Sequence, residues 1–532
     1  MKKTLSVILI VIMALAAISC ARSRSAPGSS RTAGGEFIDY SGGFPQKVTI
    51  EIPVYERAFE GWNVSNNYWT RWIQTQFGDR YNIEVKFNAI GRVSEVQDFS
   101  QMLASRRAPD IIFHYDMPQM VTYYSEEVLQ EIDPEEIKYY APTYWQHSGG
   151  IIEKYGMIDD KNMFFFADRP EADNYVTIIR KDWVEKAGYK LEDIDSLDKY
   201  NEMLAKWRDM GLGHGGGTLI QNQFIYSYAF RDWPIIEKER ALYSDLSVAD
   251  LTWRPTRDFL KNMNYQYNNN LIDREFFLIN NDAKTKADFV AGRTGVYGFY
   301  ISGNADVINA LKVNNPDAEI WLSPAGALPA GRVPQARAYW PFGMIMGINY
   351  ETPELERIAI WMYLEWLSRQ ENLFTLQNGE AGADYNPNEH GIPVKTGVRT
   401  PSSLSLNNNK DYWCLVTEGS RFGSEEIFWE VNKSIWSPPG YEKMVEEHIR
   451  LYKENAVYRT PDALFTVVLR KVNEYKADLN HLFQQLYVQC VTCPEAQFES
   501  TYTDACKKFL AAGYHEILNE KQKAINAGNY IY

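Results

Sequence analysis

"KVTIEIPVYERAFEGWNVSNNYWTRWIQTQFGDRYNIEVKF", Lys47 to Phe87, sets two β-rich runs on either side of a helix-period stretch. Lys47–Val54 alternates apolar and polar side chains, the period of a half-buried strand. From Asn66 to Phe77 the residues Trp69, Trp72, Ile73 and Phe77 recur on one helical face. Ile83–Phe87 predicts a second strand. Ser94 then stands as an N-cap before Val96, Phe99, Met102 and Leu103. Pro109 and Asp110 close that helix, and "IIFHY", Ile111–Tyr115, is a third strand. Strand, helix, strand, helix, strand predicts an open parallel α/β sheet.

In such sheets ligands bind beyond the carboxyl ends of the strands. The loops there are Tyr55–Ser65, Ala89–Val93 and His114–Pro118. A bland connector carries Gly, Ser and Asn; these loops carry polar and aromatic groups. Tyr55, Trp62, Arg92, His114 and Asp116 are therefore candidate ligand contacts.

A second αβ unit begins at Asn174. Tyr175–Ile179 predicts a strand, Asp182–Ala187 a short helix, and Ser196–Met210 a helix with Leu197, Tyr200, Leu204 and Trp207 inward. "DFVAGRTGVYGFYISGN", Asp288–Asn304, predicts a helix end, a turn at Gly292, a strand and a loop. Tyr339–Phe374 predicts a strand and one long helix, and the final third is mostly helical.

The chain starts with Lys2 and Lys3, then an apolar run from Leu5 to Ile18. A basic start, a short apolar core and small residues at the exit are the pattern of a secretory signal peptide. Ala17-Ile18-Ser19-Cys20 resembles a bacterial lipobox, which implies that Cys20 is lipidated and becomes the mature N-terminus. Residues 21–45, rich in Gly, Ser, Pro and Arg, are expected to be a flexible tether of roughly 25–30 Å. The expected location is outside the cytoplasmic membrane, held by lipid alone.

After the tether about 490 residues remain, too many for one core and suited to two domains. The net charge of −14 argues against a nucleic-acid partner, which needs clustered basic surface. An aromatic content of 14% suits large cores and also a cleft that stacks sugar faces. Cys490-Val-Thr-Cys493 has redox-motif spacing but follows a helix-like run, so a structural bridge or none is expected. A zinc site would need a second such pair.

Several stretches together resemble the family-1 extracellular solute-binding proteins, the receptors of bacterial carbohydrate ABC importers. They are "APDIIFHYDM", "IIRKDWVEKAGY", "FVAGRTGVYGF", "MIMGINYETPELERIAIWMYLEWLS", "NGEAGADY" and "AAGYHEILNEKQKAIN". The resemblance implies a two-lobe, class II α/β fold of the periplasmic-binding-protein type, each lobe a sheet flanked by helices, with a hinge between. It places residues 46–168 and 320–378 in one lobe, and 169–319 and 379–532 in the other. It implies sugar contacts from Tyr55 and Trp62, His114 and Asp116, Asn174 and Tyr175, and Tyr300. Arg92 and Trp340 complete the candidate set. The implied activity is capture of a carbohydrate, expected to be an oligosaccharide, by a monomer that delivers it to a permease.

Larger members of that family carry an acidic calcium loop after the helix that follows "RKDW". Here that stretch is "DMGLGHGGGT", Asp209–Thr218, with one carboxylate. Calcium needs several oxygen ligands, so no metal and no cofactor is expected. The GxGxxG match at Gly211, Gly213 and Gly216 follows a helix rather than a strand, which is the wrong context for a dinucleotide. The chain has no GxSxG and no HExxH, and its seven histidines show no metal spacing. It is read as a non-enzyme; the alternatives are a secreted polysaccharide hydrolase or lyase and an adhesive lipoprotein.

Overall fold

The strand Phe342–Asn349 is buried at all eight positions. Only a strand covered on both faces tolerates a run such as "FGMIMGIN". In the computed structural model it runs antiparallel to Ile111–His114, with Ile345 opposite His114 and Ile348 opposite Ile111. Its far edge pairs with Leu129–Gln130, and Phe165–Asp168 also pairs with it. Residues 30–56, 63–92, 94–169, 175–215, 239–243, 248–279, 282–323, 336–338, 340–389, 391–396, 410–419, 429–430, 433, 436–454 and 459–532 are described.

The chain divides into two units. The first comprises Met1–Met157, Lys161–Asp168 and Gly343–Glu418, the second Ile158–Asp160, Arg169–Phe342 and Gly419–Tyr532. This differs from the lobe division the resemblance implies. Ile320–Leu322 pairs with Tyr175–Arg180, which keeps it in the second unit. Tyr412 donates to Val64 O at 2.6 Å and lies edge-on to Phe87, which keeps the stretch around it in the first.

In the first unit Val48–Glu56 and Ile83–Gly91 pair in parallel over nine positions, Val48 opposite Ile83 and Glu56 opposite Gly91. Asp110 joins them to the next strand: its amide donates to Glu51 O at 2.9 Å, and its carboxylate accepts from the Glu51 amide at 2.7 Å. Beyond the parallel pair, Ile111–His114 is joined by an antiparallel partner, Phe342–Asn349, that the strand-helix order did not indicate. The Trp-rich helix is Tyr68–Ile73, capped by Asn67, and passes into a π turn at Gln74–Gly78. Its apolar face meets the helix Glu354–Ser368, with Phe77 5.3 Å from Tyr363 and Trp72 5.4 Å from Trp366.

Helix Glu354–Ser368 is buried nearly all round. Two of its charged side chains are held by neighbouring helices. Arg357 grips Glu136 through Nε and Nη2 at 2.8 and 3.1 Å. Glu365 accepts from the amide and hydroxyl of Thr143 at 2.7 and 2.8 Å, capping helix Pro142–Tyr155, whose own Ala141 cannot. The long helix expected up to Phe374 is two, broken at Arg369 before Gln370–Asn378.

The second unit holds a three-stranded antiparallel sheet of Ile320–Leu322, Tyr175–Arg180 and Val296–Tyr300. Strand alternation sends Ile178 into one cluster with Phe289, Tyr297 and Leu311. Ile179 enters another with Trp183, Leu204 and Trp207, so helices cover both faces. Helix Leu197–Asp209 starts at Ser196, whose Oγ accepts from the Lys199 amide at 3.3 Å. Gly211 ends it in the left-handed region, φ +69°, and Gly213 sits where a Cβ would lie 2.4 Å from Arg293 O. Those two glycines of the GxGxxG match are turn residues. "ISGN", expected as a loop, opens helix Ile301–Asn314.

The C-terminal helices Arg470–Thr492, Phe498–Phe509 and His515–Asn526 pack with Arg254–Asn268 around Leu260, Met263, Leu479, Phe483 and Phe509. Cys490, Cys493 and Cys506 are free thiols. Burial pushes the Cys490 thiol up to about 12, the opposite of a reactive thiolate. Among the described residues no helix is long and apolar enough to cross a membrane, and no cluster of His, Cys, Asp or Glu could hold a metal ion.

Candidate ligand site at the strand ends

The carboxyl ends of Val48–Glu56, Ile83–Gly91 and Ile111–His114 bring Tyr55, Arg92, His114 and Asp116 together in the first unit. Tyr55 is the penultimate residue of its strand, opposite Ile90. Its ring is 2% exposed and packs on Phe113, centroids 4.9 Å apart. Its hydroxyl donates to Glu95 Oε2 at 2.5 Å. Tyr115 lies parallel to it, at 6.3 Å and 11°. The Arg92 guanidinium sits 4.5 Å from the Tyr55 centroid and 4.8 Å from that of Tyr115, a cation–π contact to both. Tyr55 therefore supports Arg92 rather than offering a ring face.

Glu95 opens helix Glu95–Ala104. Ser94 does not cap that helix with its side chain; its hydroxyl donates to Asp98 Oδ2 at 3.0 Å, which also accepts from the Gly91 amide at 2.7 Å. That ties strand end to helix start and fixes Glu95 beneath the loop. Glu95 is 5% exposed, and its Oε1 makes no hydrogen bond. Burial raises its carboxyl from 4.5 to about 7, against the lowering pull of the Tyr55 hydroxyl and of Arg92, 3.5 Å away.

His114 ends the third strand. Its Nδ1 accepts from the Asp116 amide at 2.8 Å, so the neutral ring carries its proton on Nε2. That nitrogen lies 4.0 Å from Glu95 Oε1, too long for a direct hydrogen bond. The Asp116 carboxylate is exposed. Glu418 arrives from the far end of the unit, its side chain against Gly343, where a Cβ would fall 1.8 Å from its Cγ. Burial, and then the Glu418 carboxylate, push the Tyr115 hydroxyl well above its usual value.

Sequence reading missed Glu95, Tyr115 and Glu418. Glu95 looks like an ordinary acid in a first helical turn, which the helix dipole favours. Tyr115 stands inside the "HYDMP" loop, between two residues that were chosen. Glu418 has no local signal.

The other candidates lie elsewhere. Trp62 and Asn174 are outside the described residues. Tyr175 and Tyr300 are in the second unit, directly opposite in the ladder. Trp340, also in that unit, is half-buried and stacks on Phe342 at 5.7 Å and 7°.

The strand-end group offers donors (Arg92, His114 Nε2) and acceptors (Glu95 Oε1, Asp116) around tyrosine rings. Such a set suits the hydroxyls of a polyol.

The sequence profile of the bacterial extracellular solute-binding proteins matches residues 62–372. Solved structures that share the fold include three carbohydrate-related binding proteins. The alginate-binding protein AlgQ2, without calcium ion, is 14% identical with a TM-score of 0.62, over 91% of this chain and 98% of its own. The S. pneumoniae ABC-transporter substrate-binding protein FusA, in complex with kestose, is 14% identical with a TM-score of 0.62, over 90% and 99%. An HMO-binding solute-binding protein from Bifidobacterium longum infantis is 12% identical with a TM-score of 0.61, over 91% and 99%. No curated protein sequence matches significantly.

Proposed function

Because the chain belongs to the bacterial extracellular solute-binding protein family, we propose that it captures a carbohydrate outside the cytoplasmic membrane for an ABC importer. The family is one of binding proteins, and the hydrolase or lyase alternative finds no support in it. The observation that carries the sugar reading is the grouping of Arg92, Glu95, His114 and Asp116 around Tyr55 and Tyr115. That AlgQ2, FusA and the Bifidobacterium protein are described as binding alginate, kestose and HMO supports the same ligand class.

In this reading Arg92 and His114 donate to ring hydroxyls while Glu95 and Asp116 accept. Trp62, Asn174, Tyr175, Tyr300 and Trp340 are further proposed contacts. Capture proceeds by hinge closure, favoured only by the contacts a ligand gains in the closed state. A dissociation constant near micromolar, about −8 kcal/mol, suits a receptor that must release. The protein acts as a monomer, anchored by lipid on Cys20, and hands its ligand to permease subunits.

A thermal-shift screen against neutral and acidic oligosaccharides, followed by chromatography of the incubated sugars, tests this. The expected result is a melting shift with one sugar class and recovery of that sugar intact. No shift with any sugar, or cleavage of one, overturns it.

A further inference from the structure

The first part of the chain that the structure describes is seated on the first unit, where a free tether was expected. The Ser30 amide and hydroxyl both donate to Glu354 Oε1, at 2.7 and 2.5 Å. Arg31 pairs with Asp133 at 2.9 Å and lies 3.8 Å over the Phe37 ring. Phe37 in turn stacks on Tyr139 at 4.9 Å. The Tyr140 hydroxyl donates to Ile38 O at 2.8 Å and lies 3.1 Å from Ser30 O. Tyr40 and Phe44 stack on each other at 4.5 Å and are 9% and 4% exposed. Phe44 is pinned by main-chain and side-chain bonds to Tyr81 and Asn82, at 2.9 and 3.0 Å.

Two aromatic anchors, a buried serine and an ion pair over a ring are more than a polar tether needs. These contacts fall on helix Pro134–Tyr140 with its cap, on the first residue of Glu354–Ser368, and on the Tyr81–Asn82 corner. We propose that Ser30–Phe44 is a strap that turns the face carrying Pro134–Tyr140 toward a membrane surface. This rests on the reading that Cys20 carries lipid. From Cys20 to Ser30 there are ten residue steps, a reach of at most about 35 Å. Without the strap the first fixed point is Val48, 28 steps away, and the reach rises to about 100 Å. The strap therefore shortens the leash and fixes which side of the unit it leaves from.

The basic groups named on this face are paired, Arg31 with Asp133 and Lys138 with Glu135 at 2.7 Å and Glu153 at 3.9 Å, and the strap adds the exposed acids Glu36 and Asp39. Attraction to anionic lipid is then weak, and the orientation survives high salt.

The test uses the full lipidated chain on vesicles with acceptor dye in the headgroups and a donor dye at position 135. One variant releases the strap (Phe37→Ala, Tyr40→Ala and Glu354→Gln together). A second inserts ten Gly/Ser residues between Gly28 and Ser29 and leaves the strap intact. Trypsin cleavage after Arg31 reads the strap independently of the membrane. The expected results are transfer reduced at least two-fold in both variants, at any salt, and cleavage at least ten-fold faster only in the released one. Flotation with unchanged transfer in both variants, or equal cleavage of the released and parent chains, overturns the strap. Failure of every chain to float, with Arg31 still protected in the parent, overturns the lipid reading instead.

Discussion

The Tyr55 hydroxyl and Glu95 Oε2, 40 residues apart, are joined by a 2.5 Å hydrogen bond at the carboxyl end of the first strand. Glu95 is the group whose titration this arrangement alters most usefully. Unfolded, its carboxyl releases a proton near 4.5; folded, near 7. Between those values the folded chain binds more protons, so its contribution to stability falls as pH rises and levels off above about 7. The full effect is roughly 3 kcal/mol. Glu95→Gln should remove this slope and be the more stable protein at pH 8. Urea unfolding of both proteins at pH 5 and pH 8 reads it; parallel curves would show that Glu95 ionises normally.

Arg92 should matter to binding and little to folding, because its guanidinium is half-exposed between the Tyr55 and Tyr115 rings. A lysine cannot reproduce a planar, stacked set of donors. Arg92→Lys is expected to weaken sugar binding by roughly 5- to 50-fold, about 1–2 kcal/mol, with the melting temperature nearly unchanged. Calorimetry of the variant with the sugar found by screening measures both; an unchanged affinity removes Arg92 from the site.

Gly343 is required by Glu418 rather than by its own backbone. A methyl group there would overlap the Glu418 side chain at 1.8 Å. Gly343→Ala should cost roughly 1–3 kcal/mol, the range of an overpacked core. Adding Glu418→Ala should restore most of that. A double-mutant cycle by denaturant titration gives the coupling, and additive losses would mean that the clash is relieved elsewhere.

In the second unit Gly513 combines a φ of +114° with a Cβ position 2.5 Å from the Tyr475 ring. It is the kink between Phe498–Phe509 and His515–Asn526. Gly513→Ala should destabilise this unit by at least about 2 kcal/mol, since strain and overlap act together. A loss below about 0.5 kcal/mol in thermal unfolding would contradict it.

The strand-helix-strand order from Val48 to His114 was legible because period-2 and period-3.6 patterns are local. What was not legible depends on distant partners. Nothing near Ile111 says that its ladder partner is Ile348, and so only an open parallel sheet was expected from these strands. Gly/Ser composition hid the strap, because Phe37, Tyr40 and Phe44 find their surface on Tyr139, Tyr140 and Tyr81. In the site, Tyr55, Arg92, His114 and Asp116 follow from the rule about strand ends. Glu95 does not, since only its burial distinguishes it from a solvated acid.

The antiparallel strand Phe342–Asn349 also sets an order of events during synthesis. Asp110 binds Thr352 Oγ1 at 2.9 Å across 242 residues, and the Asn349 side chain closes on the Ala108 and Pro109 carbonyls at 3.2 and 3.0 Å. Until the ribosome has made these residues, the strand Ile111–His114 has an open edge and the first unit has no centre. All of residues 169–342, most of the second unit, are translated in that interval. The amino-terminal unit thus stays incomplete throughout that interval, and a nascent chain stalled before residue 342 should be held by chaperones and digested readily by protease.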